Sequence, residues 1–269
     1  MKEIPKINKK QILDILVLCK DNQNELNRTL NTIPFSTKSI SVNLKIFDGS
    51  SSNLDIKKFK NAFLKKNIKI TYFNTQALEI KGIYKSMNYA LTKVTGDWFI
   101  FMNSGDEFFK QSIFEEIEKY FFSNDDIKVL FGRAKIIGRR SWIMPSKRIK
   151  SINNWLKFFQ PNHQSMFISN SISTSNKFNT NSPSNADHEW KKKLLKKYKY
   201  RYMPINICKF YLGGISSSYN LRLLKLKINE RGRSKISKFS EIFKFILYKL
   251  NIEIEFLQFL KNYVVSQIF

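Results

Sequence analysis

Cysteine is scarce in this chain of 269 residues: Cys19 and Cys208 are the only two. Both lie in apolar, strand-like runs, without the paired spacing of a zinc site or a disulfide framework. They read as free, buried thiols of a reducing compartment. Long apolar runs are missing too, since no stretch of about 20 apolar residues offers a membrane-spanning helix. The opening MKEIPKINKKQ is basic, but no long apolar segment with a small-residue cleavage site follows it. This lacks the secretory-leader pattern and gives a cytoplasmic expectation. Internal repeats are absent as well.

Acidic residues are also few, 21 against 47 Lys and Arg, for a formal net charge of +26. Such an excess favours nucleic acid, anionic lipid or phosphate-rich partners. It has a second source, because Lys, Asn, Ile and Phe are abundant together, the drift of a coding sequence rich in A and T. No helix-turn-helix, zinc finger or RNA-recognition pattern is found, so a nucleic-acid partner is not expected.

The chain has 42% hydrophobic and 14% aromatic residues, too many for a disordered polypeptide. Its length suits one sizeable core with an appendage. Ile12 to Cys19 (ILDILVLC) is a nearly continuous apolar run, as a buried parallel strand requires. Leu26, Leu30 and Ile33 then follow at the spacing of one helical face. VNLKIF, ending at Asp48, gives a second strand, Leu54 to Leu64 a helix, and IKITYF (68–73) a third strand. Tyr84 to Val94 is helix-like, and WFIFM (98–102) is a fourth strand that runs into NSGDE. Alternation of this kind predicts an α/β fold with a mainly parallel sheet flanked by helices. All strand C-terminal ends then lie along one edge, where ligands of such sheets bind. Asp21, Asp48 and Asp106 arrive there from three separate loops. After KVLFG (128–132) the pattern turns irregular, closer to α+β.

The segment GIYKSMNYALTKVTGDWFIFMNSGDEFF (82–109) resembles the core of the family 2 glycosyltransferases, especially the bacterial branch that builds colanic-acid-like surface polysaccharides. DGSSSN resembles the family's D-G-x-S-x-D loop, and ILVLCKDNQNELNRTLNTI its first strand and helix. HQSMF (163–167), ADHEW (186–190) and FYLGGISS (210–217) match later blocks in order. The resemblance covers residues 12 to 218. It implies a GT-A fold at 1–218, and the change to helical, basic and aromatic sequence from Leu221 onward marks 219–269 as a basic helical extension. It also implies transfer of a sugar, with inversion, from a nucleoside diphosphate to a hydroxyl of a lipid-linked or polysaccharide acceptor.

Residue by residue, the resemblance puts Asp48 on the nucleotide base, with Cys19, Asp21, Lys81, Asn103 and Ser104 on the nucleotide side. Asn103 to Asp106 stand where the family has its Asp-x-Asp metal motif, with Asp106 as the ligand of Mn²⁺ or Mg²⁺. Asp187 matches the general base, and His163 and Gln164 the acceptor or diphosphate side. UDP-sugars are the donors the family uses by default. The chemistry agrees: a divalent cation takes oxygen ligands and offsets the leaving diphosphate, and one carboxylate can take the acceptor proton.

Three departures stand out. The family commonly has Asp where this chain has Ile80 and again where it has Lys85, and Thr-Tyr-Asn where Cys19-Lys20-Asp21 stands. A changed donor or lost activity are the alternatives they raise. Turn and cap roles also compete: Asp48 as a turn residue, Asp106 as the cap of a helix near Phe108, Asp187 as the cap of a helix over 190–195. From Arg222 to Phe269 there are ten Lys or Arg against four Glu. Phe239, Ile242, Phe243, Ile246, Leu247 and Leu250 fall at helical spacing there. This basic amphipathic face fits an anionic membrane interface or packing against the catalytic domain.

Overall fold

The computed structural model describes residues 10–52, 54–122, 126–182 and 185–212, then 224–225, 228–229, 239, 242–243, 245–246 and 254–268. The expected boundary at 218 and the GGISS end of the last sequence block lie outside the described residues.

Strand β1 (Gln11–Cys19) is buried from Leu13 to its end, because both of its faces are covered. It pairs in parallel with β2 (Ile40–Asp48) on one side and β4 (Trp98–Phe101) on the other. β2 pairs in turn with β3 (Lys69–Asn74), also in parallel. Helices α1 (Gln23–Asn31), α2 (Lys57–Lys65) and α3 (Ile83–Thr92) make the crossovers. Asn22 caps α1 by accepting from the Glu25 backbone N–H at 3.1 Å. Alternation along β1 divides the core: Leu13, Ile15 and Val17 meet Leu26, Leu30 and Phe63 on one face, while Leu16 and Leu18 join Met87 and Leu91 of α3 on the other.

The expectation of a parallel sheet holds for this half. Beyond β4 the sheet is mixed, as the irregular pattern after residue 132 suggested. The chain adds β5 (Glu107–Phe108), α4 (Ile113–Phe121), β6 (Val129–Ile137), β7 (Ser141–Met144), α5 (Ile152–Leu156), β8 (Met166–Ser169), α6 (Ala186–Lys197) and β9 (Tyr200–Tyr211). The strand order is β3-β2-β1-β4-β8-β6-β9-β5, with β7 paired to β6. β8 runs antiparallel between β4 and β6, and β9 returns parallel to β6. The helix expected near Phe108 is instead the two-residue strand β5, paired to β9 at Phe108 and Cys208. α4 starts only at Ile113. Both cysteines are free and buried.

The T-G-D turn before β4 is a structural splice. Asp14, fully buried in β1, accepts from the backbone N–H groups of Thr95 at 2.6 Å and Gly96 at 2.9 Å, while its Oδ2 also pairs with Lys45 Nζ at 2.6 Å. A Cβ on Gly96 would stand 2.7 Å from the Ile12 carbonyl, so only glycine fits. Asp97 then accepts from the Ile12 N–H at 2.8 Å. Lys45→Met should leave the Asp14 charge buried without its cation and lower unfolding stability by about 3 kcal/mol, measured by urea titration. No change in the urea midpoint would show that the backbone donors and Asn43, whose Nδ2 donates to Asp14 Oδ1 at 3.0 Å, satisfy Asp14 without the lysine.

A last helix, α7 (Ile254–Ile268), lies against the domain. Phe259 packs on the main core, Asn262 donates to the Ile143 carbonyl of β7 at 3.1 Å, and Lys261 sits 5.1 Å above the Phe159 ring. No helix among the described residues is long and apolar enough to cross a membrane.

Candidate active site

The parallel register aligns Cys19, Asp48 and Asn74 in one row at the C-terminal edge. Asp48 is almost fully buried. One of its oxygens accepts from Tyr72 Oη at 2.6 Å and the other from the Ser50 N–H at 2.9 Å. Burial, reinforced by Asp48, pushes the Cys19 thiol well above its usual range, so it stays protonated. Beside Gly49, the Thr75 hydroxyl is buried and has no partner. Asp21 has a left-handed backbone (φ 51°) and binds Ser51 through both its N–H and hydroxyl, at 2.8 and 2.9 Å. It fastens the first loop to the D-G-S-S-S loop. Lys81 stands exposed ahead of α3, as does Lys85 on it.

The next loop, Asn103 to Asp106, turns tightly. Gly105 has φ 102°, and a Cβ there would crowd the Glu25 side chain at 3.4 Å. Thr29 of α1 holds the loop from beneath, accepting from the Gly105 N–H at 2.9 Å and donating to the Asp106 carbonyl at 2.7 Å. Asp106 is 5% exposed, and its carboxylate accepts from the Tyr211 N–H at 2.9 Å and from Gln164 Nε2 at 2.8 Å. Burial pushes its pKa up to about 7 against those two bonds.

Asn103 reaches His163 across the sheet, Nδ2 to Nε2 at 3.2 Å. Burial, with Lys191 nearby, pushes the His163 pKa down to about 4, so the ring is neutral at neutral pH. Asp187 lies inside the first turn of α6, not at its cap. Its oxygens meet Tyr84 Oη and Lys191 Nζ, each at a long 3.4 Å. Burial raises the Asp187 pKa, but Lys191 and His163 outweigh it and hold the carboxyl below the usual range. An aromatic ladder aims this residue: Tyr84 stacks on Phe178 at 5.7 Å and Phe178 on Trp190 at 4.4 Å. Asn88 clamps Phe178 through both its backbone groups, at 2.7 and 2.9 Å. The Tyr and Asn of the G-I-Y-x-x-M-N helix thus have distinct jobs.

The fold therefore joins Asn103 to His163 and Asp106 to Gln164, and it sets Asp187 within electrostatic reach of His163. Cys19 and Asp48 form a separate group at the neighbouring strand ends, with Asp21 in the loop above. Sequence reasoning missed Glu25, Thr29, Tyr84 and Lys191. The i, i+4 spacing of Asp187 and Lys191 could have signalled one of them, and the place of Tyr84 in the GIY block of segment 82–109 another.

An Mg²⁺ or Mn²⁺ ion fits the donor chemistry of the 103–106 loop. Such ions take oxygen ligands. The Asp106 charge is raised in pKa by burial, and Asn103 Oδ1, Ser104 Oγ and Gln164 Oε1 are buried with no hydrogen-bond partner. Each Asp106 oxygen keeps a second lone pair. No group of three or more His, Cys, Asp or Glu converges among the described residues. The protein's share would thus be one carboxylate and neutral oxygens, with phosphate and water completing the shell.

No family model matches the chain, and no curated protein matches it in sequence. Solved structures do match in fold. S. aureus TarS residues 1–349, in complex with UDP-GlcNAc, is 15% identical at a TM-score of 0.57, covering 90% of this chain and 76% of that one. The mannosyltransferase PcManGT from Pyrobaculum calidifontis, in complex with GDP-Man and Mn²⁺, is 11% identical at a TM-score of 0.55, over 90% and 67%. The fold is GT-A. Against a longer S. aureus TarS chain the TM-score is 0.52 at 14% identity, and this chain, matched over 87% of its length, spans 42% of that chain. At such identities the likeness establishes the GT-A architecture alone.

Proposed function

We propose that this GT-A chain is an inverting glycosyltransferase of the family 2 type, moving one sugar from a nucleoside-diphosphate sugar to an acceptor hydroxyl. The observation that carries the reading is the linked set Asp106–Gln164 and Asn103–His163–Asp187 at the sheet's ligand-binding edge. His163 is hydrogen-bonded to Asn103 of the Asp-x-Asp-like loop and lies within electrostatic reach of the ionised Asp187 carboxylate. The donors named with the structural neighbours, UDP-GlcNAc and GDP-Man, favour this donor class. UDP-sugars are the first choice, and a lipid-linked or polysaccharide hydroxyl is the acceptor.

Asp48, with Thr75 beside it, forms the floor for the base. Cys19 fills space there as an inert thiol, and Asp21 fixes the loop that borders the nucleotide. Asn103, Ser104, Gln164 and Asp106 would hold Mn²⁺ or Mg²⁺, which neutralises charge on the departing diphosphate. Lys81 adds a cation on the nucleotide side. Asp187 removes the acceptor proton as the hydroxyl oxygen attacks the anomeric carbon opposite the diphosphate, so configuration inverts without a glycosyl-enzyme. Its low pKa keeps it ionised at neutral pH, and Tyr84 and Lys191 hold its orientation.

A thermal-shift screen of UDP, GDP and dTDP, each with and without Mn²⁺, tests the donor side. The matching nucleotide at 100 times its Kd should add about 2.7 kcal/mol of stability by mass action. Transfer or hydrolysis of the corresponding nucleotide sugar should follow. A nucleotide that stabilises the fold while no sugar is ever released would point to a binding protein that lost its chemistry, the outcome the Ile80 and Lys85 departures motivate. No stabilisation by any of the three would overturn the reading.

A further inference from the structure

Among the described residues thirteen large apolar side chains are exposed, and seven of them lie in the C-terminal extension: Phe239, Ile242, Phe243, Ile246, Leu257, Tyr263 and Val264. The first four occupy i, i+3, i+4 and i+7, one face of a helix, with Phe239 70% and Phe243 51% exposed. In the sequence this face is interleaved with Lys235, Lys238, Lys244 and Lys249. Helix α7 behaves differently. Its Phe259 and Asn262 turn to the domain, while Leu257 and Val264, about half a turn round the helix from them, stay outside.

We infer that the extension docks the enzyme on an anionic bilayer, with α7 as the mount and the 239–246 face as the surface that enters the lipid. Exposed apolar rings give adhesion at the acyl boundary, and lysines around them meet anionic headgroups. Charge selects this occupant. The extension from Arg222 holds ten Lys or Arg against four Glu in a chain of net charge +26. A second copy would bring the same excess and be repelled, whereas an anionic surface attracts it. The inference stands apart from the proposed sugar transfer, because it rests on the extension and its measurement involves no donor.

Flotation of the full chain with vesicles of phosphatidylcholine and phosphatidylglycerol in equal parts, against pure phosphatidylcholine, tests it. Binding should be confined to the anionic vesicles and should weaken at least about tenfold when salt rises to about 0.5 M, where exposed charges are screened within a few ångströms. The quadruple change Phe239→Ser, Ile242→Ser, Phe243→Ser and Ile246→Ser should lower the partition at least about tenfold while leaving the thermal midpoint in place. Lys235→Glu, Lys238→Glu and Lys244→Glu together supply a second variant with the same expectation and no apolar change. Full-length protein that ignores anionic vesicles at low salt overturns the inference. So does a dimer in sedimentation that the serine variant dissolves without any change in vesicle binding.

Discussion

Asp187→Asn is expected to reduce sugar transfer by roughly 10²- to 10⁴-fold while nucleotide affinity changes no more than a few-fold, since a general base acts on the acceptor. The amide cannot take a proton, yet it keeps the shape and polar contacts of the carboxylate. Tyr84 can still donate to its oxygen at the present 3.4 Å, so the aromatic ladder behind it is undisturbed. A pH profile adds a sign. Lys191 and His163 hold the folded pKa below the usual aspartate range, so the Asp187 carboxylate stays ionised through neutrality. The acid limb of kcat/KM should accordingly fall below that range. Equal loss of nucleotide affinity and turnover would make Asp187 a structural residue.

Asp106→Asn is the second large effect, and Gln164 is the reason the fold should survive it. The present carboxylate accepts from Gln164 Nε2, while Gln164 Oε1 is buried with no partner. An asparagine amide at 106 would place a donor against a donor, but rotation of the Gln164 amide brings Oε1 round to accept from it. The Tyr211 N–H keeps its acceptor in the remaining oxygen. Stability should therefore change by less than about 1 kcal/mol, the scale of one net hydrogen bond. Loss of the anionic ligand should remove the Mn²⁺ dependence of donor binding and reduce kcat/KM by roughly 10²-fold, as a cation held by neutral oxygens alone is bound weakly. Calorimetric titration of nucleoside diphosphate with and without Mn²⁺ separates these effects. An unchanged Mn²⁺ dependence would sink the assignment.

The parallel half of the sheet was legible because its strands are continuous apolar runs. Ile12 to Cys19 predicts β1 within one residue of its observed start, and WFIFM marks β4. The mixed half was not, because β5, β7 and β8 are two to four residues long. Runs that short carry no periodicity, and their pairing is set by partners far along the chain. The same distance explains the site. Motif spacing picks out Asn103, Asp106 and His163, yet nothing local says that Asn103 turns its amide to a ring 60 positions later. Thr29 reads as one polar residue on a helix until the fold brings Gly105 onto its hydroxyl. Asp187 and Asp106 also read as helix caps, and both such roles give way to the observed elements: α6 begins before Asp187, and a strand follows Asp106. The amphipathic face offered two readings: its Phe239, Ile242, Phe243 and Ile246 are exposed, its Leu247 and Leu250 lie outside the described residues, and the packing on the domain comes from α7, which that face did not include.

The contact between Asn262 and the Ile143 carbonyl bears on the exposed margin of the sheet. Among the described residues β7 pairs with β6 alone, so its outer backbone is a template on which another chain's strand could align. A helix laid against that margin, with an amide side chain occupying one of its carbonyls, denies a stray strand its first hydrogen bond. Helix α7 thereby serves as an edge guard for the outer margin of β7.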